Sequence, residues 1–246
     1  QMNVIILSAG SNPASSSENY PISLYEFNSK PFIQILLEKW QGIEAKFAVM
    51  LNEGDIQKYH LDHVIKQINR NANLYPINSP TAGAACTALM AIEQINNQEP
   101  LVILNGDELL DLNYLEPLQA FESQGVDAGT VIFDSVHPRY SYVRLDANDR
   151  VIEAAEKNPI SRNATVGFYW YKHGADFVRA AMRTIEKQAF AEQPFFVCPV
   201  FNELVLEGKQ IGVFRIDKEA YKPFKSQQQL AQFQSVLEKL LWSVVT

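Results

Sequence analysis

The stretch that most constrains this chain is residues 101–110, LVILNGDELL. Apolar residues run without a break into Asn105, Gly106, Asp107 and Glu108. A short continuous apolar run that ends in a turn is the pattern of a strand covered on both faces, the condition of strands in parallel sheets. A carboxylate at the C-terminal tip of such a strand stands where open α/β sheets bind their ligands. Gly106 permits the sharp turn. Asp107 can then offer a hard oxygen to a cation such as Mg²⁺, which commonly takes one or two carboxylates plus substrate phosphates. On these ten residues alone, a strand end with an Asn-Gly turn and solvated acids is the plainer account.

The chain before this stretch alternates strand and helix. Residues 4–7 are a buried strand leading into Ser8, Ala9 and Gly10. Residues 11–19, SNPASSSEN, read as a loop. A loop after a first strand can hold phosphates through backbone N–H groups. Phe32, Ile33, Leu36, Leu37 and Trp40 share one helical face. Residues 47–51 form a second strand, and Leu61, Val64, Ile65 and Ile68 mark another helix. A third strand at 73–77 leads to TAGAACT at 81–87, which opens a helix predicted to run on through Ala88, Leu89, Ile92 and Ile95. Small residues there would let a flat ligand or a phosphate reach free N–H groups, and they also suit close helix–sheet packing.

Beyond the 101–110 stretch, Leu115, Leu118 and Phe121 mark a helix, and residues 129–133 form a strand. Repeated strand–helix units imply a parallel, doubly wound sheet with right-handed crossovers. After Asp134 the pattern changes. Residues 141–145, 151–156 and 164–171 are strand-like runs joined by short turns, which implies antiparallel pairing. Helices follow at 175–185 and 199–207, the second stopped by Gly208. Residues 210–216 make a last strand, and Leu230, Phe233, Val236, Leu237 and Leu240 give an amphipathic C-terminal helix. There is no internal repeat, low-complexity tract or linker, so residues 2–246 are expected to form a single α/β domain.

Composition narrows the partners. A formal net charge of −7 argues against nucleic acid, whose phosphates call for Lys/Arg clusters. Small anions remain open, since one local basic pocket can hold them. No run is long and apolar enough to span a membrane, and no secretory leader is recognisable. Cys86 and Cys198 form no metal or redox spacing and read as buried thiols of a reducing compartment, so a cytoplasmic location is expected. His60 and His63 lie one helical turn apart, but a metal site needs further ligands, and an exposed helix face is the simpler account.

Several pieces in this order resemble the sugar-phosphate nucleotidylyltransferases, the nucleoside-diphosphate-sugar pyrophosphorylases. They are VIILSAG at 4–10, YPISLYEFNSKPF at 20–32, TAGAACTALMA at 81–91, ILNGDELL at 103–110, EKNPIS at 156–161, VGFYWY at 166–171 and PVFNELVLEGKQIGVFRI at 199–216. The resemblance implies a Rossmann-like, GT-A-like fold with a mixed, mainly parallel sheet flanked by helices. It implies transfer of a nucleotidyl group from an NTP to a sugar 1-phosphate or a related phosphorylated small molecule, with Mg²⁺ as cofactor and release of pyrophosphate. It would put the protein in nucleotide-sugar metabolism that serves polysaccharide biosynthesis.

By the same resemblance, Ala9 and Gly10 would contact the nucleotide through their backbone, and Thr81 and Gly83 would hold the base. Asp107 would hold Mg²⁺. Glu156 and Lys157 would meet the sugar and its phosphate, with Lys157 counted beside Asp107 as catalytic. Gly167 would let the sugar lie close. The family's second metal aspartate falls near Pro199, which leaves Asn202 as the nearest polar candidate for a metal ligand.

This chain departs from the family at the phosphate loop, which ordinarily reads Gly-x-Gly-Ser/Thr-Arg with a Lys after the next Pro. Asn12, Pro13 and Ala14 stand at the second Gly, the hydroxyl residue and the Arg, and Ile22 stands at the Lys. Pro13 also lacks an N–H. Two cations that would steady the leaving pyrophosphate are thus absent, and each such group is worth roughly a hundredfold in rate. Either other groups replace them, with Ser15, Ser16, Ser17 and Lys30 as candidates, or the protein binds a nucleotide or sugar phosphate without transferring it. A GT-A glycosyltransferase is a third reading, weakened because Glu108 adjoins Asp107 where an Asp-x-Asp pattern would skip a residue. The base, the acceptor and the oligomeric state stay open, a homo-oligomer included.

Overall fold

A computed structural model of the chain describes residues 1–10, 20–78, 81–188 and 192–245, with side chains given through residue 236. In chain order the strands are β1 (Met2–Ser8), β2 (Glu26–Phe27), β3 (Lys30–Pro31), β4 (Ala45–Asn52), β5 (Asn73–Ile77), β6 (Leu101–Asn105), β7 (Glu108–Leu110), β8 (Ala128–Asp134), β9 (Ser141–Leu145), β10 (Val151–Glu156), β11 (Asn163–Tyr171), β12 (Ile211–Arg215) and β13 (Tyr221–Pro223). The helices are α1 (Phe32–Glu38), α2 (Glu53–Tyr59), α3 (Leu61–Ile68), α4 (Ala84–Leu89), α5 (Ile92–Ile95), α6 (Leu115–Gln124), α7 (Gly174–Lys187), α8 (Phe201–Leu206) and α9 (Gln227–Val245).

The uninterrupted apolar runs become the middle of a nine-stranded sheet. Successive side chains point to opposite faces of a strand, and here both faces are covered. Val4 and Ile6 of β1, with Val102 and Leu104 of β6, pack on one face against Phe32, Ile33 and Leu36 of α1. Ile5 and Ile103 pack on the other, against Ala85 and Ala88 of α4 and Phe177 of α7. Each aliphatic side chain buried in this way contributes roughly 1.5–3 kcal/mol. The predicted α1 stripe is borne out: Phe32, Ile33, Leu36, Leu37 and Trp40 are all buried.

The sheet order is β10-β9-β11-β6-β1-β4-β5, with β8 pairing β11 and β12. β1 runs parallel to β4 and to β6, and β4 runs parallel to β5. The chain first lays β4 and β5 on one side of β1, then crosses back to add β6 on the other. That reversal is a topological switch point, the place where open α/β sheets bind ligands beyond the C-terminal ends of their strands, here β1 and β6. β11 then runs antiparallel to β6, β8 and β9, as the change of pattern after Asp134 implied.

Two local features differ from the sequence expectation. The helix opened at 81–87 is interrupted, since Met90 and Ala91 donate to Thr87 and Ala88, three residues back, at 3.1 Å each. Such tightening ends α4 before α5 begins. The second is β13, which pairs antiparallel with β7, Tyr221 opposite Leu110 and Pro223 opposite Glu108. It carries the chain from the last large-sheet strand back over the tip of β6. The loop at residues 11–19 lies outside the described residues, and so do the side chains of Leu237 and Leu240.

His63 is exposed on α3, whereas His60 is exposed at φ +53° between α2 and α3, off the expected helix face, with the ring centroids 5.7 Å apart. Cys86 and Cys198 are free thiols, the second buried. No helix among the described residues is long and apolar enough to cross a membrane.

Candidate functional site

Strand register gathers the candidate residues along one edge of the sheet. Leu7 pairs with Asn105, so β1 and β6 end together, with Ala9 and Gly10 leaving one tip and Asp107 the other. Phe168 pairs with Leu104, which sets Gly167 of β11 beside the same tip. Thr165 pairs with Ser141, and Ser141 with Glu156 at the end of β10. Asp107, Gly167 and Glu156, far apart in sequence, therefore share one rim.

Small residues let that rim close up. The Gly106 N–H donates to the Leu7 carbonyl at 2.9 Å. A Cβ on Gly106 would stand 2.8 Å from that same carbonyl oxygen and would also strike the Ser8 side chain. Ser8 Oγ is buried and has no hydrogen-bond partner among the described residues. At Gly167 a Cβ would collide with Asn105 and Glu108. Gly10 differs: among the described residues, nothing lies within 4 Å of the place its Cβ would take.

The acids at the β6 tip have unequal surroundings. Glu108 is buried, with one oxygen accepting from the Gly167 N–H and the other from the Tyr221 hydroxyl at 2.7 Å. Asp107 keeps 28% of its side chain exposed, and its carbonyl accepts from the Phe224 N–H at 2.8 Å. Between the two carboxylates lies the Lys225 ammonium, 3.3 Å from Asp107 Oδ1 and 3.2 Å from Glu108 Oε2. Burial opposes the charge on Lys225, but Glu108 and Asp107 outweigh it and raise the amine above the usual lysine range. Burial also raises the Asp107 carboxyl, against the pull of Lys225. Burial and the adjacent Glu108 push Tyr221 well above an ordinary phenol, so it stays a donor.

The sugar-side pair sits farther along the rim. Glu156 accepts from the Ser141 hydroxyl, and burial raises its carboxyl. Lys157 follows at φ +52°, a left-handed conformation that is unfavourable for a residue with a Cβ. Its backbone N–H donates to the Tyr140 carbonyl at 3.0 Å, and its Nζ lies 5.3 Å from the centre of the Phe196 ring. Lys157 thus faces Phe196. The amine that contacts Asp107 is Lys225.

Phe195, next in sequence to Phe196, is stitched to the other end of the site. Its N–H donates to the Ala82 carbonyl at 2.7 Å, and its carbonyl accepts from Ala85 at 2.9 Å. Gly83, at φ +123°, lies against the Phe195 backbone, where a Cβ would approach to 2.5 Å. Thr81 Oγ1 bonds Thr87 Oγ1 at 2.6 Å and the Gly83 carbonyl at 3.0 Å. The small residues of this turn therefore serve close packing.

Two expectations need correction on this geometry, those for Asn202 and Lys30. Asn202 accepts from the Ala154 N–H and donates to the Ala154 carbonyl, both at 2.8 Å, so its carboxamide pins α8 to β10. Lys30 holds both Glu38 oxygens at 3.0–3.1 Å on the surface, which ties it to α1. The donor set around Asp107 does not fit a protein-held Mg²⁺, which needs near-octahedral oxygen ligands close to 2.1 Å. An ammonium already lies against both carboxylates, and the Glu108 oxygens accept from Gly167 and Tyr221 as well. Among the described residues, no group of three or more His, Cys, Asp and Glu could hold a metal.

Sequence reasoning missed Lys225 and Tyr221. The signal available was Pro223 in a short run between the last strand and the C-terminal helix, a place where a Pro-bearing edge strand can sit.

Residues 5–209 match the family model for nucleotidyl transferases. A stretch of 82 residues is 33% identical to a glucose-1-phosphate adenylyltransferase of Clostridium acetobutylicum and covers 30% of this chain and 22% of that one. This chain thus matches about a fifth of that relative's length. Among solved structures, a nucleoside-diphosphate-sugar pyrophosphorylase from Vibrio cholerae RC9 superposes with a TM-score of 0.80 at 18% identity, over 95% of this chain and 99% of that one. An inositol-1-phosphate CTP transferase from T. maritima superposes with a TM-score of 0.71 at 14% identity, over 96% and 95%. At such identities the likeness is one of fold.

Proposed function

Because the chain belongs to the nucleotidyl transferase family, we propose that it transfers a nucleotidyl group from an NTP to a sugar 1-phosphate or a related phosphorylated small molecule. A phosphate oxygen of the acceptor attacks the α-phosphorus, the bond to the bridging oxygen breaks, and pyrophosphate leaves. The observation that carries this reading is the shared rim: Asp107, Gly167 and Glu156 line one edge at the switch point, beside the β1 tip that Ala9 and Gly10 leave.

Transfer of this kind asks the protein mainly to align the groups and to neutralise charge. In this reading Ala9 and Gly10 meet the nucleotide through their backbone, and Thr81 and Gly83 flank the base. Gly167 gives the sugar room, and Glu156 accepts hydrogen bonds from its hydroxyls. Lys157 seats the acceptor phosphate as a point charge. The protein works as one unit over residues 2–246 in nucleotide-sugar metabolism, in the cytoplasm.

A second reading, a nucleotide- or sugar-phosphate-binding protein without transfer, is favoured by one observation. Ile22, at the family's lysine position, is 7% exposed and packs into the core, so no cation reaches the pyrophosphate from there. The two readings separate in one assay. A panel of NTPs with sugar 1-phosphates, run with Mg²⁺ and again with EDTA, should release pyrophosphate if transfer occurs. Nucleotide binding without release would select the second reading.

A further inference from the structure

The contact between Lys225 and the two acids at the β6 tip has the form of a cation site already filled. Glu108 is buried, and two unpaired carboxylates side by side would repel each other. The chain answers with an ammonium. β13 pairs with β7, the Phe224 N–H fixes the Asp107 carbonyl at 2.8 Å, and the next residue delivers Lys225 Nζ to 3.3 Å and 3.2 Å from the two carboxylates. The Tyr221 hydroxyl on Glu108 holds the same segment down.

We propose that Lys225 is the resident cation of this site and takes the place of a protein-bound divalent ion between Asp107 and Glu108. An ammonium has three donors. Two face the carboxylates, 38% of the side chain remains exposed, and the third is left for an anionic oxygen of a ligand. That oxygen is a phosphate oxygen, a point that rests on the function proposed above. A lysine cannot leave the site as a metal ion can, so the positive charge is part of the fold. The phosphorylated ligand then binds without a divalent ion ligated by the protein.

The test uses the full chain, its Lys225→Met variant, and Lys225→Met combined with Asp107→Asn. Thermal melts are recorded in EDTA and in millimolar Mn²⁺. The wild-type Tm should not move with Mn²⁺. Lys225→Met should melt lower in EDTA and recover by several degrees in Mn²⁺, because an ion that binds only the folded state stabilises it. The double variant should lose that recovery. A wild-type Tm that rises in Mn²⁺ as much as the variant's would overturn the proposal. Should Lys225→Met fail to fold, Mn²⁺ titrated into wild type and followed by electron paramagnetic resonance decides. Bound Mn²⁺ that disappears on Asp107→Asn refutes a resident lysine, and no bound Mn²⁺ supports it.

Inorganic pyrophosphate titrated in EDTA tests the ligand half. It should bind wild type at least tenfold tighter than Lys225→Met, with Lys225→Arg close to wild type. Equal binding to wild type and Lys225→Met would overturn that half. No binding to either protein removes the phosphorylated-ligand reading, and the Mn²⁺ arms still decide which cation occupies the site.

Discussion

The Tyr221 hydroxyl donates to Glu108 Oε2 at 2.7 Å, joining residues 113 apart in the chain. This bond and the β7–β13 ribbon hold the C-terminal segment against the tip of the central strand. Tyr221→Phe removes the donor and leaves Glu108 with the Gly167 N–H and Lys225. A hydrogen bond to a charged group of this kind is worth about 2 kcal/mol. Urea unfolding of the variant should show a loss of that size, with an unchanged m-value.

Gly106→Ala would force a methyl group to within 2.8 Å of the Leu7 carbonyl oxygen. That contact is backbone and cannot rotate away. Overpacking at such a point costs about 3 kcal/mol. Chemical denaturation should register the loss, and ligand binding should weaken with it, because the β1 and β6 tips would be pushed apart.

Glu156→Gln separates stability from function. Burial raises the Glu156 carboxyl in the folded chain. An acid raised on folding favours the native state below its unfolded pKa, and that contribution is lost as pH rises through the folded value. Once ionised, the wild type carries a half-buried charge that glutamine lacks. The variant should have the higher urea midpoint at pH 7, and the gap should close near pH 4. Pyrophosphate release should fall in the same variant, since the carboxylate is assigned to the sugar.

Cys198 should be nearly inert in the native chain. Burial, helped by Glu156, pushes its thiol up to about 12. At pH 8 that leaves roughly one thiolate in ten thousand, and the thiolate is the reactive form. Cys86 is half-buried and raised by burial. Ellman's reagent should titrate Cys86 slowly in the folded protein and reach Cys198 only on unfolding.

Much of the fold was legible because unbroken apolar runs such as LVIL at 101–104 occur where both faces of a strand are covered. Loss of that pattern after Asp134 correctly signalled antiparallel pairing. The strand tip singles out Asp107 and the family motifs single out Gly167 and Glu156; register brings the three to one rim, and their roles remain proposals. Lys225 was not legible, because its role depends on a ribbon closed between residues distant in sequence, and no local period encodes that. Asn202 was misjudged for the related reason that its partner, the Ala154 backbone, carries no side-chain signal. The break between α4 and α5 was hidden because Met90 and Ala91 suit a helix well, and tertiary packing overrides propensity.

The central claim is nucleotidyl transfer at the rim that holds Asp107. Its most direct test is pyrophosphate release from NTP and sugar 1-phosphate pairs by wild type and Asp107→Ala, with nucleotide sugar quantified alongside. The account predicts equal amounts of the two products for at least one pair, and a fall of roughly a hundredfold or more in the variant, because Asp107 holds the Lys225 ammonium at the rim. A nucleotide that binds with no pyrophosphate released from any pair, or an Asp107→Ala variant as fast as wild type, would contradict it.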